Sequence, residues 1–406
     1  MIGKCHACAA RRGMLGRMNF FRAAIPVLLL ASAALPAVEV CGAEPWVLRE
    51  PLDYQVSQRQ TATSGTIEVG GALPPAVAAP VQIEAKLGPG STVPWQRVAS
   101  VMEGQTEFRG KLSIPAGGWY RLEVRALRGE TTQAEAVVEH VGVGEIFVIA
   151  GQSNSANHGE ESQTAASGLV SAFTGTKWQL ANDPQPGASG SGGSFLPPFG
   201  DALAVRWKVP IGIVSTGVGA TSVREWLPRG VRFPSPPTIT SRVTELPTGG
   251  WEAKGALFEH FVARLKQLGP HGFRAVLWHQ GESDAHQQDP ARTLPGDLYQ
   301  KYLAELIRSS RRDAGWDAPW FVAQASYHAP DDPGSPEIRA AQKAVADSGL
   351  ALAGPDTDAL GPDWREAGGK GVHFSGPGLR KHAALWVDKV APWVDQVVRA
   401  ATAENH

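Results

Sequence analysis

The run Glu145-Ile146-Phe147-Val148-Ile149-Ala150 is apolar almost throughout and leads without a break into Gly151-Gln152-Ser153-Asn154. Such a run, with no polar alternation, suits a strand buried on both faces, as in a parallel sheet covered by helices. Ile211-Gly212-Ile213-Val214-Ser215, Ala275-Val276-Leu277-Trp278 and Trp320-Phe321-Val322-Ala323-Gln324 read the same way. Helical segments are expected at Gly255–Leu268, Asp297–Asp313, Pro336–Ser348 and Gly378–Val398. Strand–helix alternation of this kind predicts an α/β class: a three-layer α/β/α domain around a parallel sheet. These sheets bind ligands beyond the C-terminal ends of their strands. Ser153, Gly217, Gly219 and Gln280 all fall just after predicted strands, so they converge on one site.

Residues 46–142 follow a different rule. Thr66–Val69, Val81–Leu87, Phe108–Ile114 and Tyr120–Ala126 alternate apolar and polar residues, and turn residues such as Gly88-Pro89-Gly90 separate them. Period-two runs at this spacing, with no helical stretch among them, predict an all-β sandwich. The expected division is therefore 1–43 presequence, 44–142 β-sandwich and 143–406 α/β domain. No aromatic platform stands out in the sandwich, which favours packing on its neighbour over sugar binding. Two stretches, Asn182–Pro198 and Arg229–Gly250, read as long loops.

The N-terminus carries an export pattern. Arg17 and Arg22 flank the start of the apolar run Ala23–Leu35, which is short for a bilayer span and is followed by small residues. Cleavage is expected after Ala43, or alternatively after Ala37, with Met18 as a candidate start; the competing reading is an uncleaved anchor. The three cysteines, Cys5, Cys8 and Cys41, all precede the expected cleavage site. Thiol catalysis and disulfides are then excluded from the mature chain. A periplasmic or secreted protein without stable membrane insertion is the expectation. A formal net charge of −1 makes no case for a nucleic acid or an anionic membrane as partner.

A serine at a strand end, a distant histidine, and amide and carboxyl side chains between them suit acyl transfer. The serine attacks, the histidine takes its proton and amide donors hold the oxyanion. Ser153 is the candidate nucleophile; His373, in Val372-His373-Phe374-Ser375, is the candidate base, ahead of His279 and His286. Between them lies Trp278-His279-Gln280-Gly281-Glu282-Ser283-Asp284. Oxyanion donors are expected from the Ser153 amide and from Gly219, with Gly217 as fallback. Asn154, Asn157 and Arg224 are candidate pocket residues. No His-Glu-x-x-His set and no Gly-x-x-x-x-Gly-Lys loop occurs, so neither a metal nor another cofactor is expected.

Gly-Gln-Ser-Asn, Trp-x-Gln-Gly-Glu-x-Asp and the late His-Phe-Ser together resemble the sialate O-acetylesterase and acetylxylan esterase group, family-6-like carbohydrate esterases of the SGNH hydrolase superfamily. The resemblance covers roughly Val143 to Trp393. It implies an SGNH-like fold and a serine esterase that removes O-acetyl groups from carbohydrate, with an acetylated glycan as partner. It also implies that the Gln280 side chain joins the oxyanion hole, where the superfamily often has asparagine. The sequence departs from the superfamily at one point. The triad acid commonly precedes the histidine by three residues, and that position holds Lys370. Glu282, the glutamate of Gln-Gly-Glu, is the first substitute, Asp284 the second, and a Ser-His dyad the third. Asp356, Asp358 and Asp363 are weaker candidates. Lys370 also motivates a rival reading, a non-catalytic carbohydrate-binding protein with a degenerate site; an esterase for non-sugar esters is another.

Overall fold

The computed structural model describes residues 46–91 and 94–404. The export segment and all three cysteines lie outside the described residues. Among those described, no helix is long and apolar enough to cross a membrane.

Alternation builds the N-terminal part. Val81–Leu87 buries every second side chain, and Ser64–Ala72 and Glu107–Pro115 largely follow the same period. Leu48–Glu50, Ser64–Ala72 and Glu107–Pro115 form an antiparallel sheet. Val81–Leu87 pairs antiparallel with Gln96–Val101 and Gly117–Arg128, and the latter pairs with Thr131–Gly151. Ile67, Val69, Ile83, Leu112, Leu122, Val124, Val141 and Val143 share the core of this sandwich.

The strand Thr131–Gly151 belongs to both halves of the molecule. Up to His140 its buried positions are separated by exposed ones; from Val141 to Gly151 every residue is buried. The change follows the sequence, from Thr-Thr-Gln-Ala-Glu to Ile-Phe-Val-Ile-Ala. The expected boundary after residue 142 thus falls inside one continuous strand. Beyond it the strand becomes the centre of a parallel sheet ordered Val170–Phe173, Ile211–Ser215, Thr131–Gly151, Ala275–His279, Trp320–Gln324, Leu352–Asp356, with Trp178–Leu180 antiparallel at one edge. Glu145, fully buried where the strand enters this sheet, is held by Arg59 and Arg274.

Helices cover both faces, as the alternation requires. Leu196–Trp207 and Gly376–Glu404 bury Phe199, Leu203, Trp386, Val390 and Val394 against one face. Ala256–Leu268, Gly296–Ala314 and Pro336–Asp347 bury Phe261, Leu265, Tyr299, Leu303 and Ile338 against the other. The helix Leu196–Trp207 was not foreseen, because its opening Leu-Pro-Pro reads as the end of a loop. Arg229–Gly250 differs from expectation too: with the residues just after it, it contributes Arg232–Phe233, Val243–Glu245 and Trp251–Ala253 to a small antiparallel sheet. Strands of two or three residues show no period to read.

Candidate active site

Ser153 sits where the central strand stops. Gly151 ends that strand with φ 128°, and a Cβ there would lie 2.0 Å from the His279 carbonyl oxygen, so only glycine fits. The chain then turns into a short 3₁₀ segment, Ser153–Ser155. The Gln152 amide donates to the His279 carbonyl (2.9 Å), and its side-chain oxygen accepts from the Ser283 amide (3.0 Å). The ends of two neighbouring strands are thereby locked together. Ser153 is nearly buried, and its hydroxyl makes no hydrogen bond to any described residue.

His373 lies in the loop before the last helix. Asn154 Nδ2 donates to the Val372 carbonyl (3.3 Å), which ties the serine segment to the histidine segment. His373 Nδ1 is 2.7 Å from Glu366 Oε1. The same carboxylate accepts the His373 backbone amide (3.1 Å), while the Glu366 amide donates to the His373 carbonyl (2.9 Å). A tight reversal brings Glu366 back: Ala367, Gly368 and Gly369 all have positive φ. Gly371 leaves the room, since a Cβ there would lie 2.2 Å from Glu366 Cγ. Nothing bonds to His373 Nε2 among the described residues. Ser153 and His373 are not hydrogen-bonded to each other here; such contacts are often long without substrate and tighten when it binds.

The carboxylates expected beside His373 are engaged elsewhere. Glu282 Oε1 accepts Asn154 Nδ2 (2.8 Å) and lies 3.8 Å from His279 Nδ1. Asp284 accepts Ser222 Oγ (2.5 Å), the Val223 amide (2.8 Å) and Gln280 Nε2 (2.7 Å), and pairs with Arg224 (3.3 Å). Both belong to a buried framework behind the site, and Glu366 stands where either was expected. Asp356 and Asp358 are taken by Arg339.

The oxyanion donors are revised in the same way. The Ser153 amide has no partner among the described residues and remains available. Gln280 Nε2 is spent on the Thr221 carbonyl (3.0 Å) and on Asp284. The Gly219 amide donates to Ser189 Oγ (2.7 Å). Gly217, the fallback, has no bond from its amide to a described residue; its carbonyl accepts the Ser189 amide.

Asn154, Asn157 and Arg224 are buried framework residues in this structure rather than pocket lining. Asn157 brackets the 182–198 loop, donating to the Gln185 carbonyl (2.9 Å) and accepting the Gln185 amide (2.6 Å). Arg224 donates to the carbonyls of Ser235, Pro236 and Arg292, which pins the 229–250 segment. Burial pulls its guanidinium below the usual arginine range, opposed by the Asp284 charge. His279, a rival base, is fully buried with Nε2 2.9 Å from Thr357 Oγ1, and burial lowers its pKa. His286 is exposed and pairs with Asp332. Sequence reasoning missed Glu366, His158 and Ser189. For Glu366 a signal existed: Glu-Ala-Gly-Gly-Lys-Gly-Val-His has enough glycine to fold the carboxylate back on the histidine. Among the described residues no group of three or more His, Cys, Asp or Glu side chains is arranged to hold a metal ion.

A parallel sheet flanked by helices, with an unbonded serine at the central strand end and a carboxylate-paired histidine in the loop before the last helix, is an arrangement suited to acyl transfer, and the family match gives the class as carboxylic ester hydrolase. Residues 143–353, just over half of the chain, match the family described as carbohydrate esterase, sialic acid-specific acetylesterase. The chain belongs to that family. Its fold is similar to that of a carbohydrate acetylesterase from Xanthomonas citri, at 18% identity and TM-score 0.50, over 86% of this chain and 76% of that one. A protein from Arabidopsis thaliana is 18% identical over 64% of this chain and 98% of its own, at TM-score 0.41. A variant of an acetyl-xylooligosaccharide esterase from Geobacillus is 16% identical over 61% and 94%, at TM-score 0.37. Comparison with curated protein sequences gives no match.

Proposed function

We propose that this carbohydrate esterase removes O-acetyl groups from an exported-compartment glycan through an acetyl-Ser153 intermediate. The contact between Glu366 Oε1 and His373 Nδ1 carries the reading. A carboxylate on Nδ1 keeps the proton there and leaves Nε2 as the basic nitrogen. His373 Nε2 takes the Ser153 proton as Oγ attacks the acetyl carbonyl. The tetrahedral oxyanion accepts from the Ser153 amide, and its collapse expels the sugar alkoxide, which receives the proton from His373. Water, deprotonated by the same nitrogen, then releases acetate and restores Ser153. Glu366 stabilises the imidazolium formed in each step without itself accepting the proton.

Glu366 removes the motive for the degenerate-site reading, because the carboxylate missing at Lys370 is supplied four residues earlier. The similarity to carbohydrate acetylesterases supports sugar acetate over other esters. The N-terminal pattern, Arg17 to Ala43, supports export. An acetate-release screen over acetylated xylan, O-acetylated sialic acid and other acetylated glycans tests the proposal. Release abolished by Ser153→Ala is expected; turnover of none of the glycans alongside hydrolysis of longer acyl esters would overturn the sugar assignment.

A further inference from the structure

His158 belongs to the site, and nothing above gives it a role. Its ring centroid lies 5.5 Å from that of His373. The segment carrying it is held against the glycine-rich loop by backbone pairing of Asn157 with Gly190 and Gly159 with Gly193. In extended backbone, neighbouring side chains point to opposite sides. Asn157 accordingly faces the interior, while His158 faces His373 and is only half-buried.

A contact with Ser189 distinguishes the two ring nitrogens. Ser189 Oγ accepts the Gly219 amide at 2.7 Å and lies 3.0 Å from His158 Nε2. Ser189 Oγ can accept the Gly219 amide on one lone pair and turn its own hydrogen to Nε2, and this is the arrangement the proposal takes. A neutral ring that accepts at Nε2 carries its hydrogen on Nδ1. Burial and then the charge of His373 lower the pKa of His158, opposed by the charge of Glu366. Its Nδ1–H bonds to no described residue. Gly219 leaves room for the arrangement, since a Cβ there would sit 2.7 Å from Nε2.

The side of the ester that this N–H meets follows from the mechanism. His373 returns its proton to the departing alkoxide, so the leaving sugar lies on the His373 side. The acetyl oxygen lies instead against the Ser153 amide. We propose that His158 is a sugar-binding residue whose Nδ1–H, set by the Gly219–Ser189 chain, donates to an oxygen of the leaving sugar. This rests on the Ser153–His373 reading above.

The test separates sugar from acetyl. His158→Ala should raise KM for a partially acetylated xylo-oligosaccharide by about 3- to 10-fold, the scale of one neutral hydrogen bond. Hydrolysis of p-nitrophenyl acetate, which has no sugar, should stay within about twofold. His158→Gln, which keeps an N–H donor, should recover part of the loss and guards against a folding defect in the alanine variant. Nitrogen-15 NMR of the native enzyme should show His158 as the Nδ1–H tautomer, and Ser189→Ala should weaken that preference. Equal losses on both substrates, no loss on either, or an Nε2–H tautomer would overturn the proposal while leaving the serine mechanism standing. Full turnover by folded Ser153→Ala would overturn the serine reading and this proposal with it.

Discussion

Two histidine–glutamate pairs lie among the described residues, and they differ in the features a general base needs. His279 and Glu282 belong to the most recognisable motif in the chain, three residues apart at a strand end. Their side chains are 2% and 3% exposed, and their nearest atoms are 3.8 Å apart. His279 Nδ1 and Glu282 Oε2 have no partner among the described residues. His373 and Glu366 are seven residues apart across an irregular turn, with side chains 23% and 24% exposed and a 2.7 Å contact. A base must be oriented on one ring nitrogen and reachable on the other. The first pair is sealed behind the sheet; the second meets both conditions. Prominence in the sequence therefore marks the buried framework here, while the reachable, closely paired histidine is set by a glycine turn.

The largest effect expected on this contrast is from Ser153→Ala, which should lower kcat by roughly six orders of magnitude, as loss of the nucleophile does in a serine protease. Acetate release, with circular dichroism to show that the fold persists, checks it. Glu366→Gln comes next, with a fall on the order of 10⁴ in kcat if the carboxylate acts as in a serine protease triad. A variant that turns over near the wild-type rate would leave His373 without need of its partner. Gly371→Ala should act through Glu366, displacing it from His373. A loss on the order of 10²-fold is expected, the scale for an ångström of misplacement, and a crystal structure of the variant should show the carboxylate moved.

Glu282→Gln sharpens the comparison from the other side. It weakens the acceptor of Asn154 in a buried site, so it should lower stability by about 1–3 kcal/mol while changing kcat far less than Glu366→Gln. Chemical denaturation beside steady-state kinetics separates the two; a crippled kcat at unchanged stability would return the acid role to Glu282. The smallest effect concerns protons. Burial lowers the pKa of His279, and burial with the charges of His279 and Arg365 lowers that of His382 well below its ordinary value. In the unfolded chain both rings protonate near the ordinary value of 6.5. The unfolded state thus binds more protons at lower pH, and stability should fall as pH drops below about 6.5. His382→Phe should flatten that slope in thermal melts.

The central strands of the sheet and four of its flanking helices were legible because burial on both faces leaves an unbroken apolar run, and a helix leaves its own period; the outer strands Val170–Phe173, Trp178–Leu180 and Leu352–Asp356 and the helix Leu196–Trp207 were not. The sandwich was legible for the converse reason, as Val81–Leu87 illustrates. Ser153 and His373 could be singled out because each sits in a short motif at a strand end or loop. The carboxylate could not be found by motif spacing. Lys370 occupies the usual place; the glycines around it signal a turn, but which carboxylate that turn returns to His373 depends on the path through three successive positive-φ residues. Gln280 and Gly219 were misread as free donors for a related reason: their partners, Thr221, Asp284 and Ser189, are set by tertiary packing. The sequence marked Asn182–Pro198 as a loop but not the segment it grips, which backbone pairs join at Asn157–Gly190 and Gly159–Gly193.

The strand shared by the two sheets has a mechanical consequence. Modular enzymes usually join an accessory module through a pliant tether, about which the module swings and searches. Here the joint is a ladder of backbone hydrogen bonds that continues, strand unbroken, to the residue two positions before the proposed nucleophile. Gln55–Gln58 runs parallel to it across the junction, and Glu145 is clamped there by arginines from both sides. The sandwich therefore behaves as a strut instead of a pendant. It cannot be excised at residue 142 without cutting the strand that leads to the site.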